Sequence, residues 1–142
     1  MSIRRDFQKN KVYRWEDTVV GPRSDRVIRF DEAQTFVDGV WLSMGLIGPP
    51  RCMLFDREQK CYIATGSRME LRLQIHTKAW VVLHEIAHAL GMHKTDGGYV
   101  NPDDGHGPKF VGHYIKLLDR VLGIPLALTM YTLEQHGVKF KL

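Results

Sequence analysis

Two histidines four residues apart, His84 and His88, govern how the middle of this chain can fold. Positions i and i+4 of an α-helix lie one turn apart on one face, so both imidazoles can reach a single metal ion. Glu85 stands beside them, where a carboxylate can serve as general base toward a water on that metal. Ile86, Ala87, Ala89 and Leu90 are small or apolar, as a buried helix needs. Ala79, Leu83, Ile86, Ala87 and Leu90 form the apolar stripe, with Thr77 as its N-cap and Gly91 as its stop. His106 follows eighteen residues after His88, at the mouth of a later helix. Three protein ligands with one open position are the shell of a catalytic rather than a structural zinc site.

Other third ligands fit less well. Gly91 sits where the longer pattern HExxHxxGxxH requires it, but the matching histidine position holds Lys94. His93 comes one residue early, about 100° away around a continuing helix. The stretch from Pro108 to Leu122 carries no glutamate, only Asp119, and His113 reads as a supporting or surface residue. The expected site is therefore His84, His88 and His106 on zinc, with Glu85 as the catalytic base. Each ligand imidazole needs an oxygen acceptor for its other ring nitrogen, and Asp103, Asp104 and Asp119 are the candidates. Tyr99, His93 and His113 are candidates for oxyanion stabilisation, and Asp96-Gly97-Gly98 for a flexible lid.

A chain of 142 residues is expected to form one domain, with residues 1–18 read as an N-terminal arm, either irregular or a short helix. Two cysteines, Cys52 and Cys61, form no CxxC pair, which excludes a four-cysteine zinc ribbon; free thiols are expected. No apolar run is long enough to span a membrane and no secretory signal opens the chain, so a cytoplasmic location is expected. The formal charge of +4 is mild; it allows weak nucleic-acid association through a basic surface but does not demand it.

Along the chain, Asp31 to Gln34 reads as a helix start with Asp31 as N-cap and Gln34 reaching back. Phe36, Val37, Val40, Trp41 and Met44 continue it at helical spacing until Gly45. Cys52 to Phe55 and Tyr62 to Ala64 read as strands joined by a turn at 56–60. Met69 to Ile75 alternates apolar and polar residues, the pattern of a strand with one buried face. Together these predict a three-stranded antiparallel meander packed on the histidine helix, an α+β fold. Met92 to Gly107 lacks periodicity and reads as a loop. Pro108 opens a helix that Gly123 ends, and Pro125 opens a last one that Gly137 ends. Trp41 and Trp80 read as core. Trp15, in the basic arm, is expected to pack on the domain rather than stack on a nucleobase.

His84-Glu85-Ile86-Ala87-His88 followed by Asp104-Gly105-His106-Gly107-Pro108-Lys109-Phe110 resembles the SprT-like, or Spartan-type, zinc metalloprotease core. There HExxH precedes a His-Gly-Pro-x-aromatic segment that carries the third ligand. The chain is also similar to a family of small HExxH metallohydrolases of actinobacteria and their phages. That likeness takes in Arg5-Asp6-Phe7-Gln8-Lys9-Asn10-Lys11-Val12-Tyr13 and so covers most of the chain. The resemblance implies a zincin-like fold, zinc, and hydrolysis of a peptide or protein substrate. The chain departs from the Spartan-type pattern in having no zinc ribbon after the core and in placing Lys109 where an acidic residue is common.

Overall fold

The computed structural model describes residues 6–55, 64–91, 93–95, 98–100 and 105–142. The first helix, α1 (Lys9–Trp15), turns Val12 and Trp15 inward. It widens into a π-helical turn at Glu16–Val20, which buries Glu16, Val19 and Val20, and then tightens into a 3-10 turn at Gly21–Arg23. Of the two readings of this stretch the short helix is what forms, and its Val12 and Trp15 belong to the core. Trp15 is fully buried and its indole N–H donates to Thr132 Oγ1 at 2.9 Å, so it packs as expected.

Strand β1 (Val27–Arg29) leads into α2 (Phe30–Ser43), which buries Ala33, Val37, Val40 and Trp41 at helical spacing. Arg29, not Asp31, occupies the cap position, because β1 runs directly into the helix. Asp31 sits in the first turn and pairs with the Arg29 side chain. Gln34 does not reach back either. Its amide accepts from Cys52 N–H at 2.7 Å and donates to Pro50 C=O at 3.0 Å, anchoring the start of β2 (Arg51–Leu54). Gly45 ends α2 with φ +76°, a left-handed conformation that costs glycine little.

β2, β3 (Thr65–Gly66) and β4 (Glu70–Leu73) form a three-stranded sheet in the order β2-β4-β3. The alternation expected from Met69 to Ile75 holds only within β4: Leu71 and Leu73 are buried and Glu70 and Arg72 half-exposed, whereas Met69 and Ile75 lie outside the strand and are exposed. Among the described residues the expected antiparallel meander does not form. β2 pairs parallel with β4 in the register Cys52↔Leu71, and only β3 pairs antiparallel with it, Gly66↔Leu71. Alternation reports which face is buried, whereas the direction of pairing depends on the path between strands. The turn at 56–60, Cys61 and most of the anticipated strand from Tyr62 lie outside the described residues. Cys52 is a buried free thiol.

A separate antiparallel pair joins β1 to β5 (His76–Lys78), with Ile28 opposite Thr77. Thr77 is therefore a strand residue, its hydroxyl accepting from Gln74 N–H, and Lys78 precedes α3 (Ala79–Leu90). Within the stretch from Met92 to Gly107, read as a loop, β6 (His93–Thr95) and β7 (Gly98–Val100) pair antiparallel. α4 (Pro108–Leu122) and α5 (Leu126–Gln135) begin and end at the anticipated prolines and glycines. α3 packs on α4, with Val82, Leu83, Ile86, Phe110, Val111, Ile115 and Leu118 in one core. The fold is α+β, and among the described residues no helix is long and apolar enough to cross a membrane.

Candidate metal centre

α3 is covered on nearly every side. Its apolar residues Val82, Leu83, Ile86, Ala87 and Ala89 are buried, and so are His84 and Glu85. The histidine side is roofed by Phe110 and Tyr114 of α4 and Tyr13 of α1, with His84 and His106 buried and His88 partly exposed. The Phe110 ring stacks on His88 with centroids 4.3 Å apart, and Tyr114 meets His84 edge-on at 5.3 Å. Tyr13, 40 % exposed, stands 5.0 Å from the His106 ring and 6.2 Å from that of His84, and so forms the solvent side of the cluster.

His106 arrives from the turn before α4. Gly105 has φ +64°, and a Cβ there would sit 2.5 Å from Asp6 Oδ2. Glycine is required both by the backbone conformation and by this close approach. Gly107 is extended and Pro108 fills the first helical position, where its missing N–H costs nothing. The result brings His84, His88 and His106 together, with one ring nitrogen from each inside a 4.8 Å group. α3 ends at Leu90 and His93 opens β6, so the longer helical motif is not continued; the His93 side chain lies outside the described residues.

The hydrogen bonds orient this cluster. His84 Nδ1 faces Glu16 Oε2 at 2.6 Å, and the same oxygen accepts from the Tyr114 hydroxyl at 2.8 Å. His106 Nδ1 faces Asp6 Oδ2 at 2.6 Å, while Asp6 Oδ1 accepts from the His106 backbone N–H at 3.2 Å. A carboxylate at Nδ1 selects the tautomer that leaves a lone pair on Nε2. The two Nε2 atoms, 3.1 Å apart, then aim lone pairs at one another. A metal cation between them, or a proton on one of them, resolves that contact. Tetrahedral zinc with Zn–N bonds of about 2.05 Å separates its nitrogens by about 3.3 Å, close to what is seen. The three histidines could therefore hold a metal ion.

Electrostatics follow from burial and from these partners. Burial disfavours the His84 imidazolium, but the Glu16 carboxylate outweighs it and raises the pKa. Burial, with His84 and His106 adding like charge, pushes His88 down to about 2. Burial also lowers His106, against the pull of Asp6. Glu85 is pushed up to about 7 by burial, partly offset by His84. Tyr114 is raised well above its ordinary value by burial and by Glu16, so it stays a hydrogen-bond donor.

The Glu85 shift predicts a pH effect in the metal-free protein. Its folded pKa of about 7 exceeds the ordinary 4.5, so its contribution to stability is complete below 4.5 and is lost as pH rises through 7. Glu85→Gln removes that loss. Its stability relative to wild type should grow by about 1 kcal/mol between pH 6 and pH 8. Urea denaturation of both proteins with chelator present checks this; a pH-independent difference contradicts it. His88 works the other way, costing stability as pH falls below 6.5, but equally in both proteins.

Sequence reasoning missed Asp6, Gln8, Glu16 and Tyr114. The anticipated acceptors Asp103 and Asp104 lie outside the described residues. Asp119 and His113 line a cavity of about 300 Å³ with Met44, Leu90 and Leu126, and neither is in the group of His84, His88 and His106. Of the other oxyanion and lid candidates, Asp96 and Gly97 lie outside the described residues, as do the side chains of His93 and Tyr99. A signal for Glu16 could have been found only in the heptapeptide before it, whose Val12 and Trp15 spacing marks a buried helix. Comparison with protein-family models, with curated proteins and with solved structures gives no match.

Proposed function

We propose that this protein is a zinc-dependent metallohydrolase, specifically a metallopeptidase. The observation that carries the reading is the convergence of three histidines, two of them backed by carboxylates, beside a buried Glu85 whose pKa is about 7. His84, His88 and His106 would hold the ion and leave a position open. When bound, zinc supplies Lewis acidity and a water acidified toward neutral pH. Glu85 takes a proton from the attacking water and delivers it to the leaving amine nitrogen, and a carboxyl of pKa near the working pH suits both halves of that task. Glu16 and Asp6 hold the imidazoles in the required tautomer and orientation.

A peptide substrate is supported by the sheet. Among the described residues β3 is an edge strand, and it presses on the helix at Glu85 so closely that a Cβ on Gly66 would lie 2.6 Å from the Glu85 carbonyl oxygen. An extended peptide added to that edge would run beside the general base. The HExxH and His-Gly-Pro-x-aromatic segments, which resemble the SprT-like core, agree with this chemistry.

Metal analysis tests the reading. Wild type is expected to hold one zinc per chain after dialysis, and His106→Ala to lose most of it. Stoichiometric zinc in His106→Ala would remove His106 from the site. Salt-sensitive DNA binding that survives Glu85→Gln, with no cleavage by wild type, would favour a DNA-associated protein with a structural zinc instead.

A further inference from the structure

Gln8 stands at the head of α1 and is 1 % exposed. Its Nε2 donates to the His106 carbonyl at 2.9 Å and to the Lys139 carbonyl at 2.9 Å. Its Oε1 accepts from Lys139 N–H at 3.0 Å. One buried amide therefore ties the metal-ligand turn to the segment after α5. That segment is seated further along α4: Val138 is buried, and Lys141 N–H donates to Pro108 C=O at 3.0 Å. The Lys141 carbonyl oxygen occupies the space of an absent side chain, 1.7 Å from where a Cβ on Gly112 would stand. Asp6, two residues before Gln8, already holds the His106 ring and backbone N–H. Residues 6–8 thus grip His106 at its ring nitrogen, its N–H and its C=O, and grip 138–141 with the same hand.

We propose that Gln8 is a positioning residue that couples metal binding at His106 to docking of the segment Val138–Lys141. The inference rests on the metal reading above. Coupling of this kind is reciprocal: if the docked segment favours the metal-bound turn, metal must favour the docked segment by the same factor. A glutamine that merely fills the core would stabilise the fold and leave the metal affinity of the folded protein alone.

The test uses the full chain, zinc alone as ligand, a chromophoric chelator as competitor, and hydrogen exchange at the Lys139 and Lys141 amides. Zinc is expected to slow exchange at both amides of the wild type by about 10-fold, within the usual range of coupling. Gln8→Ala is expected to weaken zinc binding by about 10-fold, as loss of a group that orients a ligand commonly does. Gln8→Glu, which keeps the acceptor but loses both donors, should fall with it. Gly112→Ala expels the segment without touching Gln8 or His106, so it serves if the Gln8 variants fail to fold; it too should weaken zinc. In a His106→Ala background, Gln8→Ala should change residual zinc affinity by less than about twofold.

Unchanged zinc affinity in folded Gln8→Ala or Gly112→Ala overturns the coupling, as does an equal loss with and without His106, or zinc-independent exchange at Lys139 and Lys141. Wild type that binds no zinc fails the metal reading itself. Zinc binding that depends on His106 but not on Gln8 fails the coupling alone.

Discussion

Replacing Glu85 by glutamine should leave one zinc per chain and reduce peptide cleavage by 10²–10⁴-fold, roughly what general acid–base catalysis supplies. The two halves of that expectation have separate causes. Glu85 is not among the three grouped ligand residues, so its loss should not empty the site. Glutamine nearly matches the volume of the side chain that burial holds near pKa 7, so packing against β3 survives. What disappears is an acceptor able to take a full proton. A proteome-derived peptide library, cleaved by wild type and by the variant and analysed by mass spectrometry, reads the loss and reveals the substrate preference together. Equal cleavage by both proteins would exclude Glu85 as the base; loss of zinc with loss of cleavage would mean that the residue acts through the metal.

The second large effect is expected at Glu16. A single carboxylate oxygen receives both the His84 ring and the Tyr114 hydroxyl in a buried setting. Glu16→Ala strands the His84 ring donor at about 1–3 kcal/mol, leaves the Tyr114 hydroxyl only the Trp80 carbonyl at 3.4 Å, and removes the group that sets the His84 tautomer. Zinc affinity should drop by about 10–100-fold and the folded state should be destabilised by about 3–5 kcal/mol. Tyr114→Phe separates the two consequences. It withdraws one donor from Glu16, leaves the His84 contact in place, and should cost stability while zinc affinity falls by less than for Glu16→Ala. Calorimetry together with chelator competition measures both. A Glu16→Ala protein that binds zinc as tightly as wild type would show that the carboxylate does not orient the ligand.

These two residues differ in how visible they were beforehand. Glu85 belongs to a five-residue motif on one helix, and helical periodicity converts that spacing into geometry directly. Glu16 lies 68 residues from His84 and Asp6 lies 100 from His106. Nothing local marks Asp6, and the spacing of Val12 and Trp15 before Glu16 marks only a buried helix, because the need for a carboxylate belongs to the distant imidazole. Their placement depends on the π-helical turn that starts at Glu16 and on the packing of α1 against α4. Such turns often sit at functional sites, but a heptapeptide helix does not announce that it will widen.

The sheet shows the same division. Alternation from Glu70 to Leu73 identified the buried face of β4 correctly, since side chains alternate on any strand. It said nothing about neighbours, and β2 joined β4 in parallel rather than through a hairpin. Helix ends marked by proline and glycine were legible for α4 and α5, because those residues restrict the backbone by themselves. Helix starts inferred from Asp31 and Thr77 were displaced, because β1 and β5 run straight into α2 and α3 and take the preceding positions into a sheet.

On its own, the order of residues in this chain determined the α+β class, the helix that carries His84, Glu85 and His88, and the selection of His106. Each follows from local stereochemistry or from the donor chemistry of imidazole. Only the tertiary structure decided which carboxylates and amides hold those imidazoles, and that residues 6–16 and 138–141 belong to the same assembly as the His106 turn. Those contacts join segments as much as 131 residues apart, and their energy exists only after the core has brought the segments together.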